Sequence, residues 1–235
     1  MPDAKKNELK PWQKQSWIIQ PGSDAAFVAQ MEQVLDVYKR PYDPEFPVVC
    51  MDEMPRQLIG EIVTPVPAGP GRLARHDYEY KRNGVCDIFM ANEPLRGWRM
   101  AKVTEQRTKQ DWAQFTTEIA AQYPEAKRII LVMDNLNTHA PGSWYENLSP
   151  REAKALWDRF ELIYTPKHGS WLNMAEIELN VLAGQCLKRR IGDIGTMRKE
   201  VAAWVKDRNA IPSTIDWRFT ADDARIKLKR LYPKL

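Results

Sequence analysis

Cysteine is scarce in this chain. Three residues, Cys50, Cys86 and Cys186, stand far apart among 235. A set so small and odd in number builds neither a disulfide framework nor a zinc site, and it suits a reducing compartment. Long apolar runs are missing too. No stretch approaches the roughly 20 residues of a membrane-spanning helix, and the opening MPDAKKNELKPWQKQ is polar where a secretory signal is apolar. Low-complexity tracts and internal repeats are absent. What remains is an ordinary folded chain whose 43% hydrophobic content supplies core for one large domain, or one domain with extensions.

The net charge is +4 and the pI about 8.9. That is compatible with a nucleic-acid partner, and the distribution says more. Basic residues gather at Lys5, Lys6, Lys10 and Lys14, and at Arg72, Arg75, Lys81 and Arg82. They gather again at Lys188, Arg189 and Arg190, and at Arg225, Lys227, Lys229 and Arg230. Singly, each cluster reads as a solvated face. Four together, beside nine Trp and eight Tyr, point to a phosphate-bearing partner.

Residues 1 to about 22 read as an irregular arm. From Ser23, a plausible N-cap, SDAAFVAQMEQVLDVYKR has helical spacing, and the prolines of PYDPEFP stop it. VVCMDE (Val48 to Glu53) reads as a buried strand ending in acid. GEIVTPVPAGPGRLARHDYEYKRNG holds a short strand and a loop rich in Pro, Gly and Arg. VCDIFMANEP and GWRMAKVTEQ form a hairpin turning at Glu93 to Gly97. TKQDWAQFTTEIAAQYP is a helix, and SPREAKALWDRF is a second with Pro150 at its first position. Between them RIILVMDNLNTHAP is a buried strand, closed by a polar cluster. FELIYTP is a further strand, SWLNMAEIELNVLAGQCLKRR a long helix, and DIGTMRKEVAAWVKDRN and TADDARIKLKRLY C-terminal helices. Early antiparallel strands followed by β-α-β units predict an α/β fold, a mixed sheet with helices on both faces.

Two of these strands end in Asp, at Asp52 and Asp134. If the strands are adjacent, both acids meet in the crevice at the sheet's carboxyl edge. The long helix offers a third acid, Glu176 or Glu178. Three carboxylates without basic partners repel one another unless a divalent cation compensates them, and oxygen ligands suit Mg²⁺ or Mn²⁺. Each acid also has a plainer reading. Asp134 can make an Asx-turn, Asp52 can simply close a strand beside Glu53, and Glu176 lies three residues after Asn173, as in a capping box. The joint pattern favours the metal.

At this point the chain resembles the catalytic domain of DDE transposases of the mariner superfamily, in the bacterial insertion-sequence branch. PVVCMDE, RHDYEYKRNGVCDIFMA, RIILVMDNLNTH and YTPKHGSWLNMAEIELNVL carry the likeness, in order, from about Pro41 to Leu187. The resemblance implies an RNase H-like fold, Mg²⁺ (with Mn²⁺ as a substitute), and cleavage and strand transfer of double-stranded DNA by two-metal phosphoryl transfer. Asp52, Asp134 and Glu176 become the catalytic, metal-holding acids. Transposon ends and target DNA become the partners, with a homodimer in the active complex, no membrane, and a bacterial, nucleoid-associated location in the cytoplasm.

Residues expected to touch DNA are Arg72, Arg75, Lys81, Arg82, His139, Lys167, His168, Lys188, Arg189 and Arg190, with the basic C-terminal helices tracking phosphates. Asn135 reads equally as a turn residue or as a bond to carboxylate or phosphate. The chain divides into an arm and linker helix (1–46), a DDE catalytic domain (47–210) and a C-terminal basic helix (211–235). Two departures stand out. The interval from Asp134 to Glu176 is longer than usual for the superfamily, with the excess expected in GSWYENLSPREAKALW. Residues 1–46 are also too few for the family's helix-turn-helix domains, so a catalytic fragment or the downstream frame of a split gene is expected. The rivals are another RNase H-like nuclease, which hydrolyses without joining, and a non-catalytic DNA-binding remnant.

Overall fold

The computed structural model describes residues 24–233. The arm with its four lysines lies outside them, and so does Ser23. The first helix, α1 (Ala25–Tyr38), is capped instead by Asp24, whose Oδ1 accepts from the Phe27 N–H at 2.9 Å.

Three strands follow: β1 (Val48–Glu61), β2 (Tyr80–Glu93) and β3 (Trp98–Thr104). The hairpin between β2 and β3 turns where expected. The Gly97 N–H returns to the Glu93 carbonyl at 2.9 Å, and Gly97 takes the φ of +69° that a glycine adopts without strain. Then come α2 (Lys109–Ala121), β4 (Ile129–Met133), α3 (Pro141–Asn147), α4 (Pro150–Arg159) and β5 (Phe160–Tyr164). After a 3₁₀ turn at Ser170–Leu172 the chain ends in α5 (Ala175–Gln185), α6 (Ile194–Ala210) and α7 (Ala221–Lys227).

The sheet has the order β3-β2-β1-β4-β5. The β1–β2 and β2–β3 pairs are antiparallel, while β1–β4 and β4–β5 are parallel. Strand β4 is buried along its whole length, and its residues alternate between two cores. Ile129, Leu131 and Met133 join Met51 and Phe89 against Trp112, Phe115, Trp144 and Leu156 of α2, α3 and α4. Ile130 and Val132 join Cys50 and Ile163 on the other face, against α1, Leu172, Met174 and Ala175. Where β1 and β2 run beyond β4, α5 and α6 cover that same second face with Leu179, Leu182, Met197 and Val201 over Ile88 and Met90.

Three expectations need correction. First, β1 does not stop at Glu53. It continues to Glu61 against β2, through Pro55. Its pairing with β4 covers only Val48 to Cys50, so Pro55 lies where β1 has no second strand to bond, a position proline tolerates. Asp52 is therefore inside a strand. Second, the long helix is interrupted: α5 starts only at Ala175, after the 3₁₀ turn. Third, two cations of the C-terminal basic helix, expected to track phosphates, are already paired within the protein. Arg225 grips Glu32 of α1 through Nε and Nη2, each at 2.9 Å, and Tyr232 donates to the same carboxylate at 2.8 Å. Lys227 pairs with Asp223 at 3.3 Å. Arg225 ties α7 to α1, Lys227 is paired within α7, and Lys229 and Arg230 are exposed. No described helix is long and apolar enough to cross a membrane.

Candidate active site

Strand register brings the two aspartates together. Cys50 of β1 pairs with Val132 of β4 in parallel. Two residues further along each chain stand Asp52 and Asp134. The β1–β4 pairing ends at Cys50, so the two chains part where the acids lie. Such a parting at the carboxyl end of parallel strands is where α/β sheets bind ligands. By alternation, Asp52 is on the face of Cys50, the face that α5 covers.

Asn173 brings up the third acid. This buried side chain donates from Nδ2 to the Met51 carbonyl at 2.7 Å, and its Oδ1 accepts from the Ala175 N–H at 3.1 Å. The start of α5 is thereby tied to β1 one residue before Asp52. Tyr38 adds a second tether, donating to the Leu172 carbonyl at 2.7 Å. The capping box that was the plainer alternative for Asn173 and Glu176 does not form. Met174 occupies the cap position without a side-chain bond, and the Asn173 amide spans to the sheet. The half-buried carboxylate of Glu176 has no bonded partner among the described residues.

Electrostatics agree with this convergence. Burial pushes the Asp52 carboxyl up to about 7. The charges of Glu53, Asp134 and Glu176 add to the rise, and the Glu53 N–H, 2.8 Å from Oδ1, opposes it. Burial is the larger cause, and the contribution of Asp134 and Glu176 shows that their charges reach Asp52.

Glu178 is elsewhere. Its carboxylate is 1% exposed and lies 3.2 Å from Nε of Arg99, whose side chain is fully buried. Arg208 of α6 approaches it at 3.4 Å. Arg99 also donates to the carbonyls of Arg208 and Ser213 at 2.9 Å each. Glu178 thus belongs to an ion-pair network joining α5, β3 and α6, whereas Glu176 has no bonded partner among the described residues.

Behind the aspartates lies a second cluster. Glu53 alternates with Asp52 and points to the opposite face. There His139 donates from Nε2 to Glu53 Oε1 at 2.7 Å, and its Nδ1 lies 2.6 Å from Asp134 Oδ1 and 3.1 Å from the Asp134 carbonyl. Both ring nitrogens face acceptors. Burial lowers the pKa of this imidazole, but the Asp134 and Glu53 carboxylates outweigh it and hold the group at about 9. Glu53, Asp134 and His139 are close enough for one atom of each to ligate a common ion. Sequence reasoning assigned Glu53 no role. The available signal was an acid beside Asp52 together with a histidine five residues after Asp134.

The expected DNA contacts sort into two groups. Arg72, Arg75, Lys81, Arg82, Lys167, His168 and Lys188 are exposed, and His168 has a φ of +63° in the turn before α5. Arg72 and Arg75 ride on a flap folded by two bridges, Val66 to Arg75 and Gly69 to Arg72. Pro70 and Gly71 turn its tip, with Gly71 at φ +68°. Two others, His139 and Arg190, are committed within the protein, while Arg189 is exposed but paired. His139 is buried, 1% exposed. Arg189 pairs with Glu200 at 2.5 Å. Arg190 pins the base of the flap, donating to Glu61 at 2.5 Å and to the carbonyls of Asp77 and Glu79 at 2.9 Å each. A cavity of about 770 Å³ between β3, α2 and α6 is lined by none of the acids.

The family model of DDE superfamily endonucleases matches residues 47–198. No curated protein matches the chain significantly. Among solved structures, the Mos1 mariner paired-end complex with Mn is similar at a TM-score of 0.54 and 16% identity, over 83% of this chain and 59% of that one. The Mos1 strand transfer complex matches at 0.54 and 14%, over 83% and 58%. The catalytic domain of Mos1 transposase alone matches at 0.53 and 11%, over 81% and 85%. The chain therefore spans about three fifths of the length of the Mos1 chain in the first two complexes and most of the isolated catalytic domain. The shared feature is the RNase H-like fold.

Proposed function

The chain belongs to the DDE superfamily of endonucleases, and from that premise we propose that it cuts double-stranded DNA and joins the freed 3′-hydroxyl to a target, as a transposase. The observation that carries the proposal is the convergence of Asp52 and Asp134 through strand register, with Glu176 drawn to them by the Asn173–Met51 bond.

The residues present fit divalent metal. Asp52, Asp134 and Glu176 offer oxygen only, and the negative charges of Asp134 and Glu176 both act on Asp52. Bound there, Mg²⁺ or Mn²⁺ would activate the attacking oxygen and stabilise the leaving one. The protein's part is placement. β1 fixes Asp52 on backbone held by the sheet, β4 ends one residue before Asp134, and Asn173 sets the helix that carries Glu176. In the first step water would attack the phosphodiester at an element's end and release a 3′-hydroxyl. In the second, that hydroxyl would attack target DNA, with the target's own 3′-oxygen leaving. Arg72, Arg75, Lys81 and Arg82 on the flap, with Lys167, His168 and Lys188, would hold phosphates without reading sequence. The working form is proposed to be a homodimer handling two ends, in the bacterial cytoplasm on nucleoid DNA.

The test uses supercoiled plasmid and an oligonucleotide bearing a recessed 3′-hydroxyl, with Mg²⁺, Mn²⁺ or excess chelator. Metal-dependent joining of the oligonucleotide to plasmid supports a transposase. Nicking without joining favours the nuclease rival, and no reaction in Mg²⁺ or Mn²⁺ favours the non-catalytic remnant. Full cleavage in chelator would sink the metal mechanism.

A further inference from the structure

We infer that Glu53 and His139 are positioning residues that clamp Asp134 from behind, fixing which of its oxygens meets the metal. The inference rests on the proposed use of Asp134 as a metal-holding acid.

Strand β4 ends at Met133, so Asp134 lies outside the sheet's hydrogen-bond ladder. Something else must hold its carboxylate. His139 does so by a hydrogen bond from Nδ1 to the carbonyl at 3.1 Å and by an ion-pair contact of 2.6 Å with Oδ1, a buried oxygen that has no hydrogen bond of its own among the described residues. Oδ2 has no bonded partner among the described residues. The ring is itself fixed on several sides. Glu53 takes its Nε2 at 2.7 Å. Trp112 stacks on it with centroids 5.9 Å apart, and Trp144 stacks on Trp112 at 4.9 Å. The loop backbone is held as well: Tyr164 donates to the His139 carbonyl at 2.8 Å, and Ser143 to the Thr138 carbonyl at 2.8 Å.

The same three residues could in principle be a metal cage of their own. The geometry points away from that. Each ring nitrogen already has a carboxylate, and the side chains of His139 and Glu53 are fully buried. Glu53 is on the sheet face opposite Asp52, while Asp134 is one-third exposed. Of the three, only Asp134 can present an oxygen to the crevice where Asp52 and Glu176 stand. Carboxylates that ligate metal work through such outer partners, which set their orientation and basicity.

The experiment measures Mn²⁺ binding to the metal-free, DNA-free protein by calorimetry, alongside melting temperature and nicking kinetics. His139→Ala and Glu53→Ala should weaken Mn²⁺ binding on the order of 10–100-fold, and lower kcat while the KM for DNA stays within about twofold. Glu53→Gln keeps an acceptor for the Nε2 proton and should retain most of the affinity, so the proposal stays testable if the alanine variants fail to fold. Wild-type affinity in a folded His139→Ala protein would overturn the clamp. So would ¹⁴N coupling from an imidazole in the pulsed EPR spectrum of bound Mn²⁺, which would make His139 a ligand. If the wild-type protein binds no Mn²⁺ at all, the proposed metal chemistry falls first, a result distinct from wild-type and variant binding alike.

Discussion

Glu176 and Glu178 are two residues apart on one helix, yet their removal should fail the protein in opposite ways. Glu178 is 1% exposed and faces Arg99, which is fully buried, with Arg208 as a second cation. Glu178→Gln keeps the shape and deletes the charge. Arg99 is then left buried with its two carbonyl bonds and no anion. Breaking one side of a buried ion pair costs about 3–5 kcal/mol. A chain of this size shifts its melting temperature by roughly 2–4 °C per kcal/mol. The expected loss is on the order of 10 °C, measured by calorimetry or circular dichroism. Nicking below the new transition should survive, because Glu178 contributes nothing to the crevice. Glu176→Gln should do the reverse. Its carboxylate has no bonded partner among the described residues and sits with other negative charge, so its neutralisation should leave the melting temperature unchanged or slightly higher while abolishing nicking and joining. A Glu178→Gln protein that melts normally but cannot cut DNA would refute this division of labour, and so would a Glu176→Gln protein that cuts.

Three further outcomes are expected. Asn173→Ala leaves the Met51 carbonyl without its partner and should cost about 1–3 kcal/mol; kcat should fall more than DNA affinity, and equal losses in both would show that Asn173 does not position Glu176. In metal-free protein the Asp52 carboxyl, raised to about 7, keeps a proton that the unfolded chain releases near pH 4. Stability should therefore fall as pH rises from about 4 to 7, and His139, held at about 9, should extend the fall toward pH 9. Carboxyls held low, such as Glu32 by Arg225, act only below about pH 4.5. Saturating Mn²⁺ should flatten the window between pH 5 and 7, and a metal-free melting temperature that climbs across it would contradict the charge conflict at Asp52. Finally, affinity for arbitrary duplex DNA should drop on the order of 10³-fold between about 50 and 200 mM salt if roughly six phosphates are neutralised. Arg72→Ala with Arg75→Ala should make that dependence shallower, and an unchanged slope would remove the flap from the DNA path.

What could be read from the residues alone follows the range over which each interaction acts. Local signals held. β4 announced itself as five apolar residues ending in Asp134, the β2–β3 turn as Glu93 to Gly97, and α4 by Pro150 at its first position. The two aspartates were legible for the same reason, since a buried strand and the acid after it are contiguous. Misreadings arose where a partner far along the chain decides. VVCMDE read as a strand ending in acid, yet β1 runs on through Pro55, which is tolerated because β4 has already left that side of the strand. Asn173 looked like a helix cap because its neighbour three residues on is a glutamate, whereas its amide is claimed by a carbonyl 122 positions earlier. Helical periodicity could not separate Glu176 from Glu178, because the deciding fact is Arg99, 79 positions away. His139 was expected to touch DNA, but β1 supplies Glu53 and α2 supplies Trp112 to bury it. A carboxylate on a chemistry-bearing strand can be recognised from its own neighbours. The groups that aim it come from other elements, and only the closed fold shows which they are.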